Sequence, residues 1–245
     1  MMNFVYWVAL PLVVFQLFIL GDTDIIEAHI PFITGTKHSD FLKAFKLSDI
    51  ETSSAIYQVH TSKNPESYIA FDGGEGERLH MQLGVPVIDG LEKFRPSVHV
   101  IPPSVPVQHW SEPRFRARVE SFETDEIVPT FFHEPFTKTN SWVLLKTEVT
   151  LTENGEYFIV SRSESHEQGK LWVAIGYKER FGLSNWTSVP ATIMEVRSFH
   201  QPEAGRSSRF SSNLLTVALF FVVIAGSVAT VMFFAVKKMR HTSFL

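Results

Sequence analysis

The chain has no cysteine among its 245 residues. That absence excludes disulfides, thiolate metal sites, cysteine nucleophiles and thiol redox motifs, so folding rests on packing alone. Familiar catalytic fingerprints are missing as well: the sequence contains no G-x-S-x-G elbow, no H-E-x-x-H, no Walker loop and no dinucleotide-binding glycine motif. These gaps point away from an enzyme and give no reason to expect a cofactor. Clustered positive charge is scarce too. The 22 Lys and Arg face 26 Asp and Glu, a net charge of −4, whereas a nucleic-acid binder would carry a basic face. The one basic cluster, Arg114, Arg116 and Arg118, alternates with Phe115, Ala117 and Val119. It reads as the wet face of a strand, with an anion-binding stripe as the alternative.

Two uncharged apolar runs bracket the chain. Leu214 to Val236 is apolar except for Thr216, Gly226, Ser227 and Thr230, and ends at Lys237, Lys238 and Arg240. As a helix it would be roughly 35 Å long, enough to cross a hydrocarbon core of about 30 Å. A transmembrane helix is therefore predicted over 213–236, with a cytoplasmic tail over 237–245. Phe4 to Leu20 is the second run, and Gly21 and Ala28 offer cleavage positions. Residues 1–28 read as a signal peptide, with an uncleaved signal-anchor as the rival. Both versions place the middle of the chain outside the cytoplasm, in an extracellular, lumenal or periplasmic space, and the basic tail agrees. Ala225 and Ala229, like Gly226 and Thr230, are four apart, a spacing that admits a membrane-helix dimer. Ser243-Phe244-Leu245 fits the loose ending read by PDZ domains.

Between the runs the hydrophobic pattern is mostly period two. Strands are predicted at Ala55–Val59, Tyr68–Phe71, Arg78–Val85, Val98–Ile101, Arg114–Phe122, Trp142–Leu151, Tyr157–Ser161 and Leu171–Ile175. Turn signals such as Asp72-Gly73-Gly74, Asp89-Gly90 and Asn154-Gly155 separate them. Leu79, Met81, Leu83 and Val85 share one face of their strand, with His80, Gln82 and Gly84 on the other. The expected architecture is mainly β: a single half-buried antiparallel sandwich over 29–187. A short helix is weighed at Ser39–Leu47. Ser188-Val189-Pro190 is a plausible cap with an early proline, so a juxtamembrane helix is expected over 188–200. Residues 201–212, with Pro202, Gly205 and four serines, read as a stalk.

Two stretches carry a family resemblance. Ser67-Tyr68-Ile69-Ala70-Phe71 followed by Gly76-Glu77-Arg78-Leu79-His80-Met81-Gln82-Leu83, and Glu153 to Val160 followed by Gly169 to Gly176, resemble the bacterial pre-peptidase C-terminal domain. Ser67 stands where that family usually has Asp, and Leu171-Trp172 replaces a usual Tyr. The resemblance spans Ala55 to Gly176 with an inserted segment, 103–140. It implies a small jelly-roll-like β-sandwich acting as an accessory module in binding, spacing or folding assistance, and its motifs encode packing rather than chemistry.

Candidate sites follow from residue type. If the signal is removed after Ala28, the mature chain begins with His29, whose amine and imidazole could chelate copper provided that His109 or His133 approaches. This supports the alternative reading, a copper-binding protein or oxidative enzyme. Glu120, Glu123, Asp125 and Glu126 are loop carboxylates of the kind calcium takes, although the spaced Asp-x-Asp-x-Asp pattern is absent. Phe131, Phe132 and Phe136 concentrate rings near Trp142, and Trp110 lies in a proline-bounded segment. Each is either core or part of a protein-binding patch. Asn185-Trp186-Thr187 is a glycosylation sequon. The leading functional reading is protein or glycan recognition by a non-enzymatic module at a membrane surface.

Overall fold

The computed structural model describes residues 29–163, 167–178 and 189–201. The signal segment, Asn185, the stalk, the predicted span and the tail lie outside the described residues. Among the described residues no helix is long and apolar enough to cross a membrane.

Eleven strands among the described residues form two sheets. They are β1 (Ile30–Gly35), β2 (Phe45–Leu47), β3 (Ser54–His60), β4 (Glu66–Gly73), β5 (Arg78–Pro86), β6 (Ser97–Ile101), β7 (Glu120–Phe122), β8 (Thr130–Glu134), β9 (Thr139–Thr150), β10 (Gly155–Arg162) and β11 (Gly169–Ile175). A six-stranded sheet runs β1-β3-β11-β5-β9-β8 and a five-stranded sheet β2-β4-β10-β6-β7. The expected strands at 55–59, 68–71, 78–85, 98–101, 142–151, 157–161 and 171–175 all fall on observed ones. The purely antiparallel sheet does not survive, because β1 pairs with β3, and β2 with β4, in parallel. The fold is therefore a sandwich of two mixed sheets.

The predicted alternation fixes the core. Leu79, Met81, Leu83 and Val85 of β5 point between the sheets and meet Ile69, Phe71, Tyr157 and Ile159 from β4 and β10. The opposite faces are less wet than expected. Helix α1 (Val189–Phe199) occupies the expected 188–200 region. It does not stand apart: Val196 and Phe199 bury against Tyr57, Trp172 and Ala174 on the outer face of the six-stranded sheet. On the outer face of the five-stranded sheet, Val105, Trp110 and Val119 cover Tyr68, Ala70, Ile101 and Val160. Central strands such as β6 are thereby buried on both faces.

Two further expectations need correction. Arg114–Phe122 is not one strand. After Pro113 the chain winds through a 3-10 turn at Arg116–Arg118, with the Arg118 amide on the Phe115 carbonyl at 2.9 Å, and only Glu120–Phe122 is extended. The turn keeps Phe115 and Val119 on the apolar cluster while Ala117 is exposed, which a continuous strand would not allow. Ser39–Leu47 is not a helix. Asp40 caps a single 3-10 turn at Phe41–Lys43 by accepting from the Leu42 amide, and Phe45 then leaves in β2 to pack on Phe32 with ring centroids 5.0 Å apart. The inserted segment is part of the sandwich: its first part roofs the five-stranded sheet, and its second part adds β7 to one sheet and β8 to the other.

Two turns show backbone chemistry at work. Gly76 takes φ +84° in the β4–β5 hairpin, where the glycine-rich stretch makes a tight turn closed by Glu77 N to Gly74 O at 3.0 Å. Lys138, in the β8–β9 connection, adopts φ +54° with a full side chain. Left-handed backbone costs an ordinary residue about 1–2 kcal/mol. Lys138→Gly is therefore expected to raise stability, by about 0.5 kcal/mol after the added freedom of the unfolded chain is subtracted; urea unfolding of the two proteins measures it.

Candidate partner-binding edge and histidine sites

Strand β8 is the last strand of the six-stranded sheet, so one row of its backbone groups has no neighbouring strand among the described residues. Its side chains follow from register. Phe131 lies opposite Trp142 and Trp142 opposite Val85, a core residue, so all three share the inward face. Phe131 nevertheless remains 54% exposed. Its ring meets Trp142 edge-on at 5.4 Å. Phe132 shares the other face with Ser141 and is partly covered. Phe136 in the following turn, and Ile127 and Val128 in the preceding loop, are exposed as well. Val87, whose amide bonds to the Asn140 carbonyl at 3.0 Å, extends the apolar patch beside β9. Edge strands in soluble domains are ordinarily guarded by charge or proline. Here the strand is bounded by Pro129 and Pro135, yet between them it presents rings.

The predicted ring cluster thus divides. Phe131 and Phe136 are surface residues, whereas Trp110 is core: it is buried, packed on His99 with centroids 4.4 Å apart.

Of the histidines proposed for copper, His29 and His133 are not brought together. His29 precedes β1 at one edge of the six-stranded sheet, and His133 lies on β8 at the other. Five inter-strand steps of about 4.8 Å separate those edges, roughly 24 Å. His29 is hydrogen-bonded to Ser53 Oγ and shares a cleft of about 240 Å³ with His80 and Tyr177. His133 Nδ1 lies 2.7 Å from the Asn140 amide oxygen, and His109 Nδ1 2.7 Å from Glu112. Glu123, Asp125 and Glu126 are exposed in the loop after β7, around a buried Thr124 whose hydroxyl donates to the Pro96 carbonyl at 3.0 Å; Glu120 is exposed on β7. Among the described residues no group of three or more His, Asp or Glu is placed to hold a metal ion.

The histidine with the most constrained geometry was not singled out by the sequence. His99, on β6, is buried between two serines. Ser97 Oγ donates to the Arg162 carbonyl at 3.4 Å, so it accepts from His99 Nε2–H at 2.9 Å. Nδ1 is then the acceptor, and takes the hydroxyl proton of Ser121 at 2.9 Å. A serine donating to a histidine is how a nucleophile is activated, but this base is weak. Burial first, and the nearby Arg162 charge second, hold His99 down to about 4. The third partner is a neutral hydroxyl, so no carboxylate stabilises an imidazolium. The relay fixes the orientation of both hydroxyls. Ser97, His99 and Ile101 alternate along one face of β6, but only the β6–β7 register, which sets His99 against Ser121, reveals the relay.

No protein-family model and no curated protein sequence matches this chain. Solved structures do resemble it. A periplasmic inhibitor of g-type lysozyme from Aeromonas hydrophila is 11% identical, with 60% of this chain and 99% of that one covered and a TM-score of 0.32. The pre-peptidase C-terminal domain of a Bacillus anthracis collagenase is 5% identical, covering 53% and 91%, with a TM-score of 0.31. A surface-associated copper-binding protein of Methylomicrobium album BG8 is 10% identical, covering 60% and 100%, with a TM-score of 0.30. Likenesses this slight carry no ligand over to this chain.

Proposed function

We propose that this chain is a single-pass membrane protein displaying its sandwich outside the cytoplasm as a non-enzymatic protein-binding module, with β8 as the contact strand. The observation that carries the reading is the apolar edge: Phe131 on the strand and Phe136, Ile127 and Val128 beside it are exposed, and the strand's outer backbone groups have no partner strand among the described residues. An extended segment of another protein could pair with that backbone and pack its side chains on the two phenylalanines, the mode known as strand addition. The membrane supplies the second ingredient. A span at 213–236 would hold the domain near other membrane proteins and raise their effective concentration.

The C-terminal helix suits a tethered role. Lys170 donates to the Phe199 carbonyl at 3.1 Å and the Gln201 carbonyl at 2.7 Å, and Arg197 donates to Thr137 O at 2.7 Å. The helix end is thus fastened to β11 and to the β8–β9 turn, immediately before the stalk sequence.

Phe131→Lys is the direct substitution. It places a charge on the edge strand at an exposed site, so folding stability is expected to change by less than about 1 kcal/mol. Chemical cross-linking of the full chain in its own membrane should lose the heterologous adduct seen with the unsubstituted chain. Retention of the adduct by Phe131→Lys would refute β8 as the contact.

A further inference from the structure

A separate cleft of about 450 Å³ opens on the outer side of β6, β7 and β10. Its interior is His99, held by the Ser97–Ser121 relay, with Trp110 packed on it. Arg162 and Arg116 line it together with Glu123. Arg162 is steered by Glu66, 3.6 Å away, and by the Trp110 ring, 5.7 Å from its guanidinium. Arg116 is exposed on the 3-10 turn and makes no ion pair among the described residues.

The donors and acceptors of this cleft are unequal. Two guanidiniums provide forked donors shaped for a carboxylate, sulfate or phosphate. Ser121 gives its proton to His99, so toward the cleft its oxygen offers only lone pairs, and the Glu123 carboxylate also only accepts. A bare inorganic anion would engage the arginines and leave Glu123 repelled. A neutral sugar would satisfy Glu123 and Ser121 but leave the arginines unmatched. A ligand that joins an anionic group to several hydroxyl donors satisfies both sets, and the volume is in the range of small-ligand sites.

We propose that this cleft binds one unit of an acidic carbohydrate, its anionic group held by Arg116 and Arg162 and its hydroxyls donating to Glu123 and Ser121. The site belongs to the opposite sheet from β8 and does not depend on it. Sequence reading of Arg114, Arg116 and Arg118 offered an anion stripe or a wet strand face; the structure singles out Arg116 by winding the segment into a turn. Arg114 instead pairs with Glu112 at 2.8 Å and lies over Phe115.

Calorimetric titration of the full chain in detergent with D-glucuronate, D-glucose and sodium sulfate tests this. Glucuronate should bind with affinity that falls as salt rises, and glucose and sulfate should each bind at least about tenfold more weakly, as expected when a charge-assisted or several neutral hydrogen bonds are lost. Arg116→Gln should weaken glucuronate at least about tenfold, whereas Arg78→Gln, on β5 and paired with Glu148, should leave it unchanged. Equal binding of glucose or of sulfate, indifference to Arg116→Gln, or no heat from glucuronate at millimolar concentration would overturn the proposal. Arg116→Gln should also leave the β8 adduct intact, so failure of either site is read separately.

Discussion

Lowering the pH from 6.5 to about 4 is expected to cost this domain on the order of 5 kcal/mol of stability, before carboxylate titration adds its share. Two buried imidazoles carry the effect. His60 on β3 is fully covered, and burial holds it down to about 3. Its Nε2 is 3.1 Å from Ser161 Oγ, which donates its own proton to Gln58 Oε1 at 2.6 Å. His60 is therefore the Nε2–H tautomer, and its bare Nδ1 has no hydrogen-bond partner among the described residues. Protonation would bury an uncompensated cation. His99 is lowered to about 4 by burial and Arg162.

The sign follows from proton counting. Between the ordinary histidine value of 6.5 and these lowered values the unfolded chain binds protons that the folded domain does not, so stability is full above pH 6.5 and declines as pH falls. Each depressed unit is worth about 1.4 kcal/mol, a sum that rivals the 5–15 kcal/mol total of an ordinary domain. His200 adds in the same direction, lowered by burial and by Lys170 against an opposing bond to the Val196 carbonyl. Denaturant unfolding at pH 6.5, 5.5 and 4.5 measures the slope. His60→Gln should flatten it by about one proton, even if that variant starts less stable. A flat profile in the parent would refute the burial of neutral histidines.

Gly84→Ala is expected to cost about 3 kcal/mol, large for one added methyl group. A Cβ at residue 84 would stand 2.1 Å from Trp172 Cζ2, so the indole must move. The indole is the first donor in a directed chain: Trp172 Nε1–H to Ser141 Oγ at 3.0 Å, the Ser141 hydroxyl to His200 Nε2 at 3.1 Å, and His200 Nδ1–H to the Val196 carbonyl at 2.9 Å. That chain ties β11 through β9 to the end of helix α1. Displacing the indole therefore loosens the helix that covers the outer face of the sheet. Thermal unfolding gives the stability loss, and hydrogen exchange of residues 191–201 should show the helix amides exposed ahead of β5. Exchange in the helix that matches the parent would show that the chain does not hold α1.

The strand positions were legible because period two is strong wherever one face is buried, as at Leu79, Met81, Leu83 and Val85. Three of the four edge strands were not. β1 contains Pro31 and ends at Gly35, β2 is three residues long, and β8 has five residues between two prolines. Short, proline-bearing segments suit sheet edges because an edge strand needs ladder bonds on only one side. The parallel pairings were hidden for a related reason: pairing direction depends on where the chain crosses between sheets, which local pattern does not encode. Arg114–Phe122 misled because its alternation is genuine, yet Phe115 and Val119 reach their apolar cluster by a turn.

The candidate surfaces were legible in part. Phe131 and Phe136 were visible as an aromatic concentration, but the separation of surface rings from the buried Trp110 needed tertiary contacts. The terminal-histidine reading needed His29 to meet His109 or His133, and the strand order rules out His133 by setting it and His29 at opposite sheet edges. His99 gave no motif because its partners Ser97 and Ser121 are ordinary strand residues. Only the pairing of β6 with β7 makes them neighbours.

Site-specific photo-cross-linking in the native membrane reads contact at β8 without perturbing the rest of the domain. A photo-reactive residue at position 131 of the full chain should give one adduct of defined mass to a second protein in the membrane fraction. The same residue at position 75, on the hairpin at the far end of β5, should give none. No adduct from position 131, or the same adducts from both positions, would contradict a partner-binding edge at β8.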